Sequence, residues 1–71
     1  MNTNSGKRLT DVAFADIFVD MEVISAIGTE GKVVRTISRE PHQDDNWICI
    51  DWNNGNQSND EHFNFREVKV K

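Results

Sequence analysis

The residues able to do chemistry are few: one cysteine, Cys49, two histidines, His42 and His62, and nearby carboxylates at Asp44, Asp45 and Asp51. Cys49 with either histidine would make a nucleophile and its base. Cys49 sits mid-strand between Ile48 and Ile50, with no basic neighbour to favour a thiolate, so a small strand residue is the expectation. Asp44 and Asp45 are adjacent in a loop, where side chains diverge. Acid–base chemistry needs two carboxylates converging on one bond. Asp51-x-Asn53-x-Gly55 begins like a calcium loop, yet Asn56 stands where glycine is needed and His62 where a bidentate glutamate belongs. No Cys/His spacing suits zinc. The sequence predicts no catalytic residue, no metal and no cofactor.

Binding is the chemistry that the composition favours. Of 71 residues, 8 are basic and 12 acidic, for a net charge of −4. From Gln43 to Glu61 there are acids (Asp44, Asp45, Asp51, Asp60, Glu61) and no Lys or Arg. Phosphate binding depends on clustered cations, so this stretch suits a basic protein segment better than nucleic acid. Trp47 lies beside these acids, and partner interfaces are enriched in tryptophan. Trp47, Asp44, Asp45, Asp51 and His42 are the candidate partner-binding residues. Lys32, Arg35 and Arg39, with Lys7, Arg8, Lys69 and Lys71, would serve nucleic acid if they gathered on a basic face opposite the acidic hairpin. An aromatic cage for a methylated cation would need Trp47, Trp52 and Phe63 to converge near Asp44 and Asp51. A core role for Trp52, Phe63 and Phe65 is the competing reading.

Positioning these groups falls to a β-rich chain. Trp47 to Trp52 alternates, sending Ile48, Ile50 and Trp52 inward and Trp47, Cys49 and Asp51 outward. Asn54-Gly55 follows, a pair suited to a type I′ turn with positive φ at both central residues. Strands are predicted over 20–26 and 32–38 around Gly28 and Gly31, with a polar loop at 39–46. A short edge strand over 56–61, a 3₁₀ turn carrying Phe63 and Phe65 into the core, and a closing strand over 67–71 complete the list. Residues 1–8 are predicted to be a disordered arm, and 9–71 a single domain. Residues 9–19 are expected to be a short helical or irregular segment, with Phe14 and Phe18 plugging one mouth of a barrel.

Val23, Gly28, Gly31 and Val33 resemble the strand–turn–strand of KOW and Tudor-like barrels, a branch of the Src homology 3-like fold. Ile48-x-Ile50-x-Trp52-Asn53-Asn54-Gly55 resembles the aromatic-Asp-Asn-Gly hairpin of that group, with Asn53 where Asp is usual. The likeness covers residues 20–71. It implies a small five-stranded Src homology 3-like barrel that recognises proteins, peptides or nucleic acid and rarely catalyses. The trimethoprim-resistant type of dihydrofolate reductase has a similar barrel, active as a tetramer, with a Val-Gln-Ile-Tyr segment in its pore. This chain has no tyrosine, so that activity is not carried over.

The expected function is a non-enzymatic module that binds a protein or peptide or assembles with itself. A nucleic-acid-associated module is the second reading, and an oligomeric enzyme with an interface site the third. One cysteine, no apolar run near the roughly 18–20 residues of a membrane span and no secretory signal make the cytoplasm the expected compartment. A chain this small gains little from one core, which makes a homo-oligomer a reasonable expectation.

Overall fold

The structure, a computed structural model, describes residues 4–38 and 46–71. Five strands form one antiparallel sheet: β1 (Glu22–Ile24), β2 (Glu30–Ile37), β3 (Trp47–Trp52), β4 (Gln57–Glu61) and β5 (Lys69–Val70). Their spatial order is β4-β3-β2-β1-β5. The fold is mainly β, as the alternation requires, but β4 and β5 remain two separate edges and the sheet is not closed. Among the described residues, short 3₁₀ turns at Leu9–Asp11, Phe14–Asp16 and His62–Asn64 supply the helical content. Among the described residues, no helix is long and apolar enough to cross a membrane.

Pleat parity in β3 is as the sequence predicts. Ile48, Ile50 and Trp52 are buried, Asp51 is exposed, and Trp47 and Cys49 are half-buried on the other face. The inner face continues through Val33, Val23 and Val70, and Leu9, Val12, Ile17, Met21, Phe65 and Val68 cover it. Each side chain extends the same apolar layer, which is how a single-sided sheet removes its hydrophobic face from water.

Both hairpins solve the turn in one way, and it is not the type I′ turn expected of Asn-Gly. Gly55 N–H donates to Trp52 C=O (3.0 Å), and Trp52 N–H to Asn56 C=O (2.8 Å). At the first hairpin, Gly28 N–H donates to Ser25 C=O (3.0 Å), and Ser25 N–H to Thr29 C=O (2.8 Å). Only the glycines, Gly28 (φ 89°) and Gly55 (φ 91°), have positive φ here; Asn54 does not. Each loop is thus a three-residue connection, a type I-like turn closed by a left-handed glycine. Side-chain oxygens reinforce both: Thr29 N–H donates to Ser25 Oγ (3.0 Å) and Asn56 N–H to Asn54 Oδ1 (3.0 Å).

Three further expectations are corrected. Phe18 and Phe63 are 55% and 51% exposed rather than buried, whereas Phe65 is buried and Phe14 packs partly against the core. The cause is periodicity. A 3₁₀ turn has three residues per turn, so positions i and i+3 share a face. Leu9 and Val12, Phe14 and Ile17, and His62 and Phe65 follow that spacing, each pair spanning one 3₁₀ turn with buried or half-buried side chains. Phe18 would need an α-helical i+4 step from Phe14, and Phe63 a strand-like i+2 step to Phe65. The third correction concerns residues 4–8 of the supposed arm. Gly6 N–H donates to Val70 C=O (2.7 Å), Val70 N–H to Lys7 C=O (2.8 Å) and Leu9 N–H to Val68 C=O (2.7 Å), so this segment lines the outer side of β5. Residues 1–3 and the 39–45 part of the predicted loop lie outside the described residues.

Gly31 faces Trp52 across the sheet, and a Cβ there would meet Trp52 Cε3 at 2.6 Å and the Asp51 carbonyl oxygen at 2.9 Å. Gly31→Ala is expected to cost about 1–3 kcal/mol through overpacking, read as a lowered midpoint in thermal unfolding. In the same assay Phe65→Ala should cost about 3–5 kcal/mol. Phe63→Ala should stay within about 0.5 kcal/mol; a large loss there would contradict its exposed position.

Candidate interaction surface

The outer face of the sheet is built from cross-strand rows. Ile37, Trp47 and Glu61 form the first, Arg35, Cys49 and Asn59 the second, and Glu22, Lys32, Asp51 and Gln57 the third. A register shift between Val33 and Arg35 leaves Val34 exposed and keeps Arg35 beside Cys49. The bulge is what puts Arg35 on this face despite its odd spacing from Lys32.

Hydrogen-bond phase decides how closely these side chains approach. His62 N–H donates to Asn46 C=O (2.8 Å) at one end of the β3–β4 ladder, and Trp52 N–H to Asn56 C=O (2.8 Å) at the other. Trp47–Glu61, Cys49–Asn59 and Asp51–Gln57 are therefore the non-hydrogen-bonded pairs, in which the Cα atoms are nearer and side chains touch more readily. Cys49 shows the consequence: its thiol donates to Asn59 Oδ1 at 3.2 Å. The same phase places Glu61 directly beside Trp47.

Of the residues singled out for partner binding, Trp47 and Asp51 share this face, with Asp51 exposed and Trp47 half-buried. Asp44, Asp45 and His42 lie outside the described residues, as does Arg39 of the nucleic-acid set. The separate basic face is not formed by Lys32 and Arg35. They stand on the same side as Asp51 and Glu61, and Lys32 sits in register between Glu22 and Asp51. Lys71 is also committed, in an ion pair with Glu30. That hydrogen bond, with the carboxylate charge behind it, raises the Lys71 pKa above its ordinary value.

The other constellations are taken apart by the pleat. Trp52 is on the inner face, 9% exposed, and its Nε1–H donates to Ser58 Oγ at 2.8 Å. Trp47 is on the opposite face and Phe63 in a separate turn, so the three aromatics do not converge. His62 donates through Nε2 to the Leu9 carbonyl (2.8 Å) and packs on the Phe14 ring (centroids 5.9 Å apart), whereas Cys49 bonds to Asn59. Carbonyl oxygens only accept, so this contact sets the His62 tautomer. No group of three His, Cys, Asp or Glu among the described residues is placed to hold a metal.

Sequence reasoning missed two features. One is a shallow depression of about 370 Å³ between the hairpin turns, lined by Ser25, Thr29, Trp52, Asn56, Ser58 and Glu67 among others. The other is a set of exposed apolar side chains, Phe18, Val19, Val34, Phe63 and Ile27. Ile27 was readable as exposed, since it occupies the central position of a turn that the glycines announce. Val34 was not, because nothing in Val33-Val34 says where a bulge falls. Comparison of the chain with protein-family models, with curated proteins and with solved structures returned no match.

Proposed function

We propose that this chain is a non-enzymatic interaction module that holds a basic protein segment on the outer face of its sheet. The observation that carries the reading is the pairing of half-buried Trp47 with Glu61 in a row flanked by Ile37. A large aromatic beside a carboxylate offers apolar area and charge together, which suits a Lys- or Arg-containing segment. The Src homology 3-like, Tudor/KOW-like architecture belongs to this proposal. Strand order β4-β3-β2-β1-β5, two tight hairpins and a 3₁₀ turn between β4 and β5 are what support it. Nucleic-acid binding is less favoured, because a phosphate approaching Lys32 would also meet Glu22 and Asp51 in register.

The test is a synthetic array of immobilised peptides probed with the wild-type chain and with Trp47→Ala. Wild type should retain peptides rich in Lys and Arg, and the variant should bind them about tenfold or more weakly, a change of ~1.4 kcal/mol. The variant should still fold, read as a cooperative thermal unfolding transition. Equal binding by the variant, or its unfolding, would remove Trp47 from the surface. A wild-type chain that binds no peptide would end the reading, and sedimentation of the same sample would reveal self-association instead.

A further inference from the structure

The two edges of the sheet are treated differently by the chain. At β5, a strand of two residues, the segment carrying Gly6, Lys7 and Leu9 takes up the outward backbone groups of Val68 and Val70. At β4, a strand of five residues, no described residue pairs with the outer side. The ladder phase identifies what is left available there. Ser58 and Asp60 spend their backbone N–H and C=O on Ile50 and Ile48 of β3. The N–H and C=O groups of Gln57 and Asn59 point the other way, outward from the sheet. The neighbouring Glu61 N–H is already satisfied by Asp60 Oδ1 (2.7 Å), which also accepts from Asn64 Nδ2 (2.9 Å).

We infer that the β4 edge accepts an extended basic peptide as a sixth, antiparallel strand, with Gln57 and Asn59 supplying the main-chain hydrogen bonds. The inference rests on the interaction-module reading above and adds to it the mode and the register. Charge selects the occupant. Asp60 and Glu61 lie on the edge and Asp51 one strand in, and between Gln43 and Glu61 there is no Lys or Arg. A peptide with Lys or Arg on alternate residues would place its cations over Glu61 and Asn59, on the side that carries Trp47. A second copy is the poorer occupant. Antiparallel self-pairing centred on Asn59 sets Gln57 against Glu61 and Ser58 against Asp60, so neither carboxylate gains a cation as its cross-strand partner. The strand Gln57-Ser58-Asn59-Asp60-Glu61 also has no apolar residue to seal such a seam. Main-chain pairing gives a complex of this kind its affinity, and alternate side chains give its specificity.

The experiment is amide hydrogen exchange on the full chain, with and without a synthetic peptide that alternates lysine and valine. Protection should rise at the Gln57 and Asn59 amides, while Ser58 and Asp60, already paired, should change little. N-methylating alternate residues of the peptide should weaken binding about tenfold or more in one register and leave it intact in the other. Replacing its lysines with glutamates should abolish binding. Asn59→Pro, which removes one edge donor, should weaken binding similarly; the methylated peptides give the same answer if that variant does not fold. Peptide binding that depends on Trp47 without protection at Gln57 and Asn59 would overturn the edge inference and leave the module reading standing. No binding at all would overturn both. Protection that appears without peptide and grows with protein concentration would assign the edge to a second copy and overturn the basic-peptide assignment.

Discussion

The contact of Trp52 with Gly31 organises the rest of the molecule. Asn53 N–H donates to Glu30 C=O (2.9 Å), which makes Gly31–Trp52 a non-hydrogen-bonded pair, the closer of the two antiparallel geometries. The indole lies across a residue with no side chain, and any Cβ would occupy its space. This contact therefore fixes the register of β2 against β3. Once register is fixed, parity along β3 follows, because a one-residue slip would move every side chain to the other face. The indole N–H then reaches Ser58, which ties β4 to the same arrangement. β2, β3 and β4 are thereby held in one register.

Covering the inner face falls to segments without regular secondary structure. The first two 3₁₀ turns and the one after β4 place residues inward at intervals of three. They meet where the His62 imidazole donates to the Leu9 carbonyl and stacks at a tilt on Phe14. A sheet of this size has too little area to bury its own apolar face against itself unless it closes. Here β4 and β5 stay apart, and the chain ends of the domain act as the second layer. The amino-terminal segment contributes twice, burying Leu9 and Val12 beneath the sheet and pairing along β5.

The outer face has the opposite character. Its rows mix an aromatic, a thiol, a guanidinium and carboxylates. Lys32 stands in register between two acids, and Lys71 is ion-paired to Glu30. Among the described residues, Asp60 and Glu61 of β4 have no cation opposite them in register. A single sheet thus separates the work of folding from the work of contact by face, through nothing more than the period of two along each strand.

The alternation of Ile48, Ile50 and Trp52 with Trp47, Cys49 and Asp51 determined β3 and its two faces from sequence alone, because the pleat is a property of the local chain. Gly28 and Gly55 marked the hairpins, although the turn type depended on how the strands had to enter and leave; Gly31, expected to bracket the first turn, lies inside β2 opposite Trp52. The fates of Phe18 and Phe63 were not legible. Short apolar segments read equally well with periods of two, three or 3.6, and only tertiary packing selects among them. The bulge at Val34, the pairing of residues 6–9 with β5 and the open β4 edge are likewise tertiary outcomes. Each depends on residues far apart in the chain competing for the same backbone hydrogen bonds, and no local pattern records who wins.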